Sequence, residues 1–158
     1  MLTPPPWLPD QAWIAAHIPH AGSMCLLEGV VAWDAGHVVC CADNHRRLDH
    51  PLRQFGRLGA ACGIEYAAQA MAVHGALLSQ RGPAARPGML VSARQVTLHV
   101  GRLDDVQAAL RIRAERLGDG DPLLLYAFSV SVGGRTLLEG RACVLLGSLP
   151  EALEPSAP

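Results

Sequence analysis

Glu65 is the residue of this chain whose setting most strongly suggests chemistry. It is the only formal charge between Arg57 and Arg81, in the apolar run LGAACGIEYAAQAMAVHGALLSQ (58–80). A helix that is apolar all round is usually a buried one. An ionised carboxylate there is costly or has its pKa pushed upward, and a lone acid in that position suits proton transfer on a small substrate. The competing reading is a carboxylate bonded to backbone or Arg that holds an interface together. Gln69 is four residues further on and shares the face of Glu65, so it is expected to orient the carboxylate. His50 precedes Pro51 in a loop, where functional residues concentrate, with a solvated surface histidine as the alternative; His45 is the reserve candidate. His74 falls about half a turn out of phase with Glu65 and is assigned to packing. His17, His37 and His99 show no metal-ligand spacing, so no metal is expected. Arg46, Arg47, Arg53 and Arg57 crowd the same loop. They read either as a phosphate contact, which suits guanidinium geometry, or as a solvated loop. The serines sit in no nucleophile elbow, and no P-loop or dinucleotide fingerprint is present.

Bulk composition narrows the classes. With 158 residues, half of them hydrophobic and 17% charged, the chain reads as one domain spanning 1–158, large enough for a real core. A net charge of −1 provides no basic surface for nucleic acid. All thirteen basic residues are arginines, so Schiff-base chemistry by this chain is excluded. The five cysteines lack any C-x-x-C spacing, which fits a reduced, cytoplasmic protein with buried thiols. A membrane span over 58–80 is rejected, because Glu65, Gln69 and His74 interrupt it and Ala and Gly dominate it. The N-terminus lacks the pattern of a secretory signal.

The elements that must position Glu65 follow from periodicity. A turn at IPHAGS leads to a strand over about Met24–Trp33, and VVCCAD is its antiparallel partner after the turn DAGH. In that partner Cys40 and Cys41 point to opposite faces. An Arg- and His-rich loop precedes the helix Leu58–Gln80, and RGPAARPG breaks the helix. Four strands follow. Met89–Val100 comes first, then Val106–Leu117, where Leu110, Ile112 and Ala114 alternate with charged residues. LLLYAFSVSV and RTLLEGRACVLL form a hairpin around Gly133 and Gly134. One apolar helix with strands on both sides in sequence indicates an α+β fold, an antiparallel sheet wrapped around a long central helix. That is the hotdog architecture, with its core at about 18–147. The small residues Ala60, Ala61, Gly63, Ala67, Ala68 and Ala72 would let the sheet approach closely. The Pro-rich start and the tail LPEALEPSAP are expected to be loosely ordered.

Over about Ile18–Leu146 the chain resembles the hotdog-fold 3-hydroxyacyl-acyl-carrier-protein dehydratases. IPHAGSMCLLEGV is similar to their LPHR-x-P-x-LL-x-D-x-V opening and GIEYAAQA to their helix motif. HPL and LGAACG ahead of IEYAAQA bring it nearest to the subgroup found with aryl-polyene pigment synthesis. The resemblance implies that Glu65 is the acid acting on the leaving 3-hydroxyl and that His50 is the base taking the C2 proton, with Gln69 in support. It also implies a thioester oxyanion held by backbone N–H groups at Gly59 or Ala60, and catalytic side chains that meet across a dimer interface. In place of the family's GHFPG the chain has only His50-Pro51. His20 matches the family's PH turn, where its implied role is structural. The four arginines become candidate contacts for phosphopantetheine or an acidic acyl carrier protein.

The expected activity is therefore dehydration of a carrier-bound 3-hydroxyacyl chain to the trans-2-enoyl thioester, in fatty-acid or polyene synthesis. It would need no cofactor beyond phosphopantetheine on a carrier protein or coenzyme A. The acyl chain is expected in an apolar tunnel beside the helix at the subunit interface. Two rivals stand beside this reading: a hotdog thioesterase, and a subunit that contributes Glu65 to a heterodimer whose partner supplies the His.

Overall fold

The computed structural model describes residues 8–80, 88–120 and 122–147. Both expected loose ends lie largely outside these residues, as does most of the RGPAARPG breaker. Strands β1 (Gly29–Trp33), β2 (His37–Ala42), β3 (Gly88–Leu98), β4 (Leu110–Gly120), β5 (Leu123–Val132) and β6 (Arg135–Leu146) form one sheet in the order β1-β2-β4-β5-β6-β3. Every neighbouring pair is antiparallel. The long helix α2 (Gly63–Ser79) follows a 3-10 turn at Ala60–Cys62 and packs across β2, β4 and β5. This is the expected hotdog arrangement.

Local chemistry sets the turns. Asp34 accepts from the N–H groups of Gly36 and His37 and closes the β1–β2 hairpin, as an Asx turn does. Gly133 and Gly134 both have positive φ, the requirement of the tight turn between β5 and β6. Buried Leu124, Tyr126, Phe128 and Val130 alternate along β5 and face the helix. At the helix start a Cβ on Gly63 would lie 2.6 Å from Leu138 Cδ2, so any larger residue there would force the Leu138 side chain to move. Ala67 and Ala70 are likewise buried, whereas Ala61 is exposed. Cys40 is buried and Cys41 half-buried, as their opposite faces require, and burial pushes the Cys40 thiol up to about 12.

Three elements start later than expected, β1 at Gly29 and not about Met24, α2 at Gly63 and not Leu58, and β4 at Leu110 and not Val106, and two larger features differ as well. Helix α2 is not buried all round: Ile64, Glu65, Ala68, Ala72 and Gly75 form a half-exposed strip. One sheet can cover only one side of a helix, and the 3.6-residue period places these positions on the other. A second helix, α1 (Gln11–His17), precedes the first strand. Asp10 caps it by accepting from Trp13 N–H, buried Ile14 and Ile18 anchor it, and Pro19 ends it. Among the described residues no helix is long and apolar enough to cross a membrane.

Candidate active site

Glu65 lies in the first turn of α2 with its side chain 33% exposed. It is thus at the mouth of the fold and not in its interior. Its Oε1 is 3.0 Å from His20 Nε2 and 3.2 Å from Gln69 Nε2. Gln69 is fully buried and its amide orientation is fixed: Oε1 accepts from Leu26 N–H at 2.9 Å and Nε2 donates to the Met24 carbonyl at 2.7 Å. The expected supporting role of Gln69 therefore has a concrete geometry. It clasps the segment between α1 and β1 to α2, and the same amide reaches the carboxylate. His20 sits on that segment, between buried Ile18 and the clasped Met24–Leu26. His20 Nδ1 is buried and has no hydrogen-bond partner among the described residues.

His50 is placed differently. Its Nδ1 accepts from Leu52 N–H at 3.1 Å, which leaves the hydrogen on Nε2, and Nε2–H donates to the Tyr66 hydroxyl at 2.9 Å. Tyr66 in turn donates to Asn44 Oδ1, and Asn44 Nδ2 donates to the Leu26 carbonyl. Both ring nitrogens of His50 are engaged, and the residue is 5% exposed. Burial lowers its pKa, as the nearby Arg53 also does, and burial raises that of Tyr66. Within one chain the described hydrogen bonds and ion pairs bring Glu65 together with Gln69 and His20, and not with His50. The reserve, His45, is fully buried and donates to the Val106 carbonyl at 2.9 Å. His74 bonds Tyr126 and the Asp34 carbonyl, a satisfied core histidine.

The other candidates divide in the same way. Ala60 N–H is bonded to the Gly101 carbonyl at 3.1 Å, whereas Gly59 N–H has no partner among the described residues. Of the two expected oxyanion contacts, only Gly59 presents an unbonded N–H among the described residues. Arg47 pairs with Asp49, Arg46 with Asp43, and Arg53 with buried Asp104. Asp104 also takes Arg102 and Leu58 N–H. Its carboxyl is held well below the usual range, first by the Arg102 hydrogen bond. Arg57 alone of the four has no side-chain partner among the described residues. Two surface clefts, one of about 330 Å³ on the sheet near Arg113 and Arg141 and one of about 310 Å³ along the 100–107 loop beside Arg102 and Arg135, do not include Glu65.

Sequence analysis gave His20 only the structural role the resemblance implies; the structure places it against Glu65. It lies far from Glu65 in the chain, and its contact depends on α1 and on the Gln69 clasp. The available signals were the PH turn itself and Asp10 three residues ahead of Trp13, an N-cap pattern.

Residues 12–153 match the sequence pattern of the ApeP-like family, described as ApeP dehydratase. No curated protein matches the chain. Among solved structures, the dehydratase heterocomplex ApeI:P from Xenorhabdus doucetiae is 26% identical with a TM-score of 0.74, over 85% of this chain and 91% of that one. Zebra fish thioesterase superfamily member 2 is 17% identical with a TM-score of 0.60, over 87% and 95% of the two chains. A mutant thioesterase from Pseudomonas aeruginosa is 14% identical with a TM-score of 0.64, over 89% and 96%. The two thioesterases share the fold; at these identities the likeness reaches no further.

Proposed function

The chain belongs to the ApeP-like dehydratase family, and from that footing we propose that it removes water from a 3-hydroxyacyl thioester to give the trans-2-enoyl thioester. The substrate is carried on phosphopantetheine of an acyl carrier protein, in the cytoplasm, in polyene or fatty-acid-type chain building, with no further cofactor. Glu65 is the acid. The observation that carries this reading is a carboxyl at the start of the long helix, one oxygen of which lies 3.2 Å from the Gln69 amide nitrogen and 3.0 Å from His20 Nε2, on a side chain 33% exposed. Beside it the half-exposed residues Ile64, Ala68 and Ala72 offer an apolar wall for the acyl chain. The free N–H of Gly59, near a helix N-terminus, suits the thioester oxyanion.

The working unit in this proposal is this chain with a second hotdog subunit. Three observations support it. The solved ApeI:P dehydratase is described as a heterocomplex. β3 ends the sheet with one side unpaired and with Met89, Leu90, Val91 and Leu98 exposed, a surface that proteins normally cover. Finally, His50 in its own chain has no free lone pair for a C2 proton. The base is then supplied across the interface. Should His50 of this chain serve, as the resemblance implies, its bond to Tyr66 must first open.

The test is the product formed from a 3-hydroxyacyl-carrier protein, followed by mass spectrometry, with the chain alone and with a second hotdog chain. Water loss from the carrier-bound chain in the mixture supports the reading. Water loss by the chain alone makes the dimer self-sufficient and returns His50 to consideration. Release of free acid in either case identifies a thioesterase and overturns the proposal.

A further inference from the structure

We propose that His20 is a positioning residue for catalysis: its Nε2–H, with the Gln69 amide, occupies Oε1 of Glu65 and so confines the transferable proton to Oε2. The inference rests on the dehydratase reading and deepens it.

The argument starts from an amide whose orientation is settled. Leu26 N–H can only donate, so the atom of Gln69 that it meets is the oxygen, and the Gln69 nitrogen faces both the Met24 carbonyl and Glu65 Oε1. Oε1 therefore accepts from Gln69. His20 Nε2 lies 3.0 Å from the same oxygen and carries the hydrogen between them. The opposite ring nitrogen agrees. His20 Nδ1 is buried without a partner, and a bare lone pair is less costly there than an unpaired N–H. With two donors on Oε1, that atom acts as the carbonyl oxygen of the protonated acid, and the acidic hydrogen belongs on Oε2.

The consequence for the reaction balances. A base removes the proton from C2, and the C2–H electron pair becomes the C2–C3 double bond. The C3–O pair leaves with the oxygen, which takes the proton from Glu65 Oε2 and departs as water. Glu65 is left as a carboxylate whose new charge falls against the His20 and Gln69 donors, where charge-assisted bonds are strongest. The C2 proton returns to solvent from the base, and Glu65 is reprotonated. His20 neither gains nor loses a proton in this cycle, which separates it from a catalytic base.

Three variants and one spectrum test this, using whichever of the chain or its two-subunit complex turns over. His20→Leu removes the donor while keeping an apolar side chain. The expected result is a kcat lower by about 10- to 100-fold with KM little changed, the scale of one hydrogen bond to a charged group. His20→Gln keeps a side-chain N–H donor and is expected to recover kcat to within a few-fold. In His20→Gly, added imidazole is expected to restore turnover, which a packing role would not allow. Wild-type kcat in His20→Leu overturns the proposal, and so does an equal loss in His20→Gln without imidazole rescue in His20→Gly. The fourth measurement is independent of turnover: the ring 15N spectrum of His20 is expected to show the Nε2–H tautomer and to shift on Glu65→Gln. A Nδ1–H tautomer overturns the proposal even if no substrate is ever found. Wild-type protein that forms no enoyl product while His20 shows the Nε2–H tautomer counts against the dehydratase reading and leaves the His20–Glu65 pairing standing.

Discussion

His50 and His20 stand close in sequence to equally suggestive residues, yet the structure uses them in opposite ways. His50 is buried, and both nitrogens are spent on Leu52 and Tyr66 in a chain that runs on through Asn44 to the Leu26 carbonyl. His20 is 26% exposed on its side chain, spends one nitrogen on Glu65, and leaves the other bare. A closed, buried hydrogen-bond network helps to fix a fold, because removing one member leaves its buried partners unpaired. A half-open contact to a carboxyl acts on whatever that carboxyl touches. The position that looks functional in sequence, a histidine before proline in an Arg-rich loop, is tied up in hydrogen bonds within this chain. The histidine that looks structural, in a turn after a short helix, reaches the acid.

The comparison can be broken or sharpened by substitution. The largest effect on stability is expected at His50. His50→Ala opens a cavity and strands Leu52 N–H, at a cost of about 3 kcal/mol, read as a lowered urea midpoint with m unchanged. An equal loss of stability in His20→Leu would erase the distinction between the two sites. Gln69→Leu should act on both sides at once. It strands Leu26 N–H and the Met24 carbonyl, costing about 2 kcal/mol, and it releases the segment that carries His20, so kcat should fall together with Tm. A change in only one of the two would show that the clasp and the catalytic contact are separable.

The smallest effect is in pH. His50 and His74 have pKa values lowered from 6.5, chiefly by burial, so above 6.5 both are neutral in folded and unfolded chains alike. As pH falls below 6.5 the unfolded chain takes up protons that the folded one refuses, and stability declines until the folded values are passed. Unfolding midpoints measured from pH 8 to 5 should be flat and then fall, with a shallower fall in His50→Gln. A midpoint that rises on acidification would contradict the buried, neutral assignment.

Much of the frame was legible in the chain. Alternation of Leu110, Ile112 and Ala114 with charged residues placed β4, because a half-buried sheet writes its period of two directly into the sequence, and the glycine pair at 133–134 placed the hairpin of β5 and β6. Glu65 and Gln69 were legible because four residues on a helix share a face whatever surrounds it. Burial was less so: an apolar composition around α2 does not say that one side lacks a cover within the chain, so Glu65 was expected deeper than it lies. The contact of His20 with Glu65 was the least legible, because the PH turn and the Asp10 cap mark α1 but not what it meets. It depends on α1 being capped by Asp10, on Pro19 ending it, and on a glutamine amide joining two distant segments. None of these leaves a periodic signal.

The most direct test of the account is the single-turnover rate of enoyl formation by wild type and Glu65→Gln, in the complex that turns over. The amide is isosteric and keeps the helix face, so the fold and carrier binding should be unchanged. The account predicts a rate lower by about 10²–10⁴-fold, the usual worth of a positioned acid, with an unaltered melting temperature. A Glu65→Gln protein that dehydrates at the wild-type rate would contradict it and remove Glu65 from the reaction.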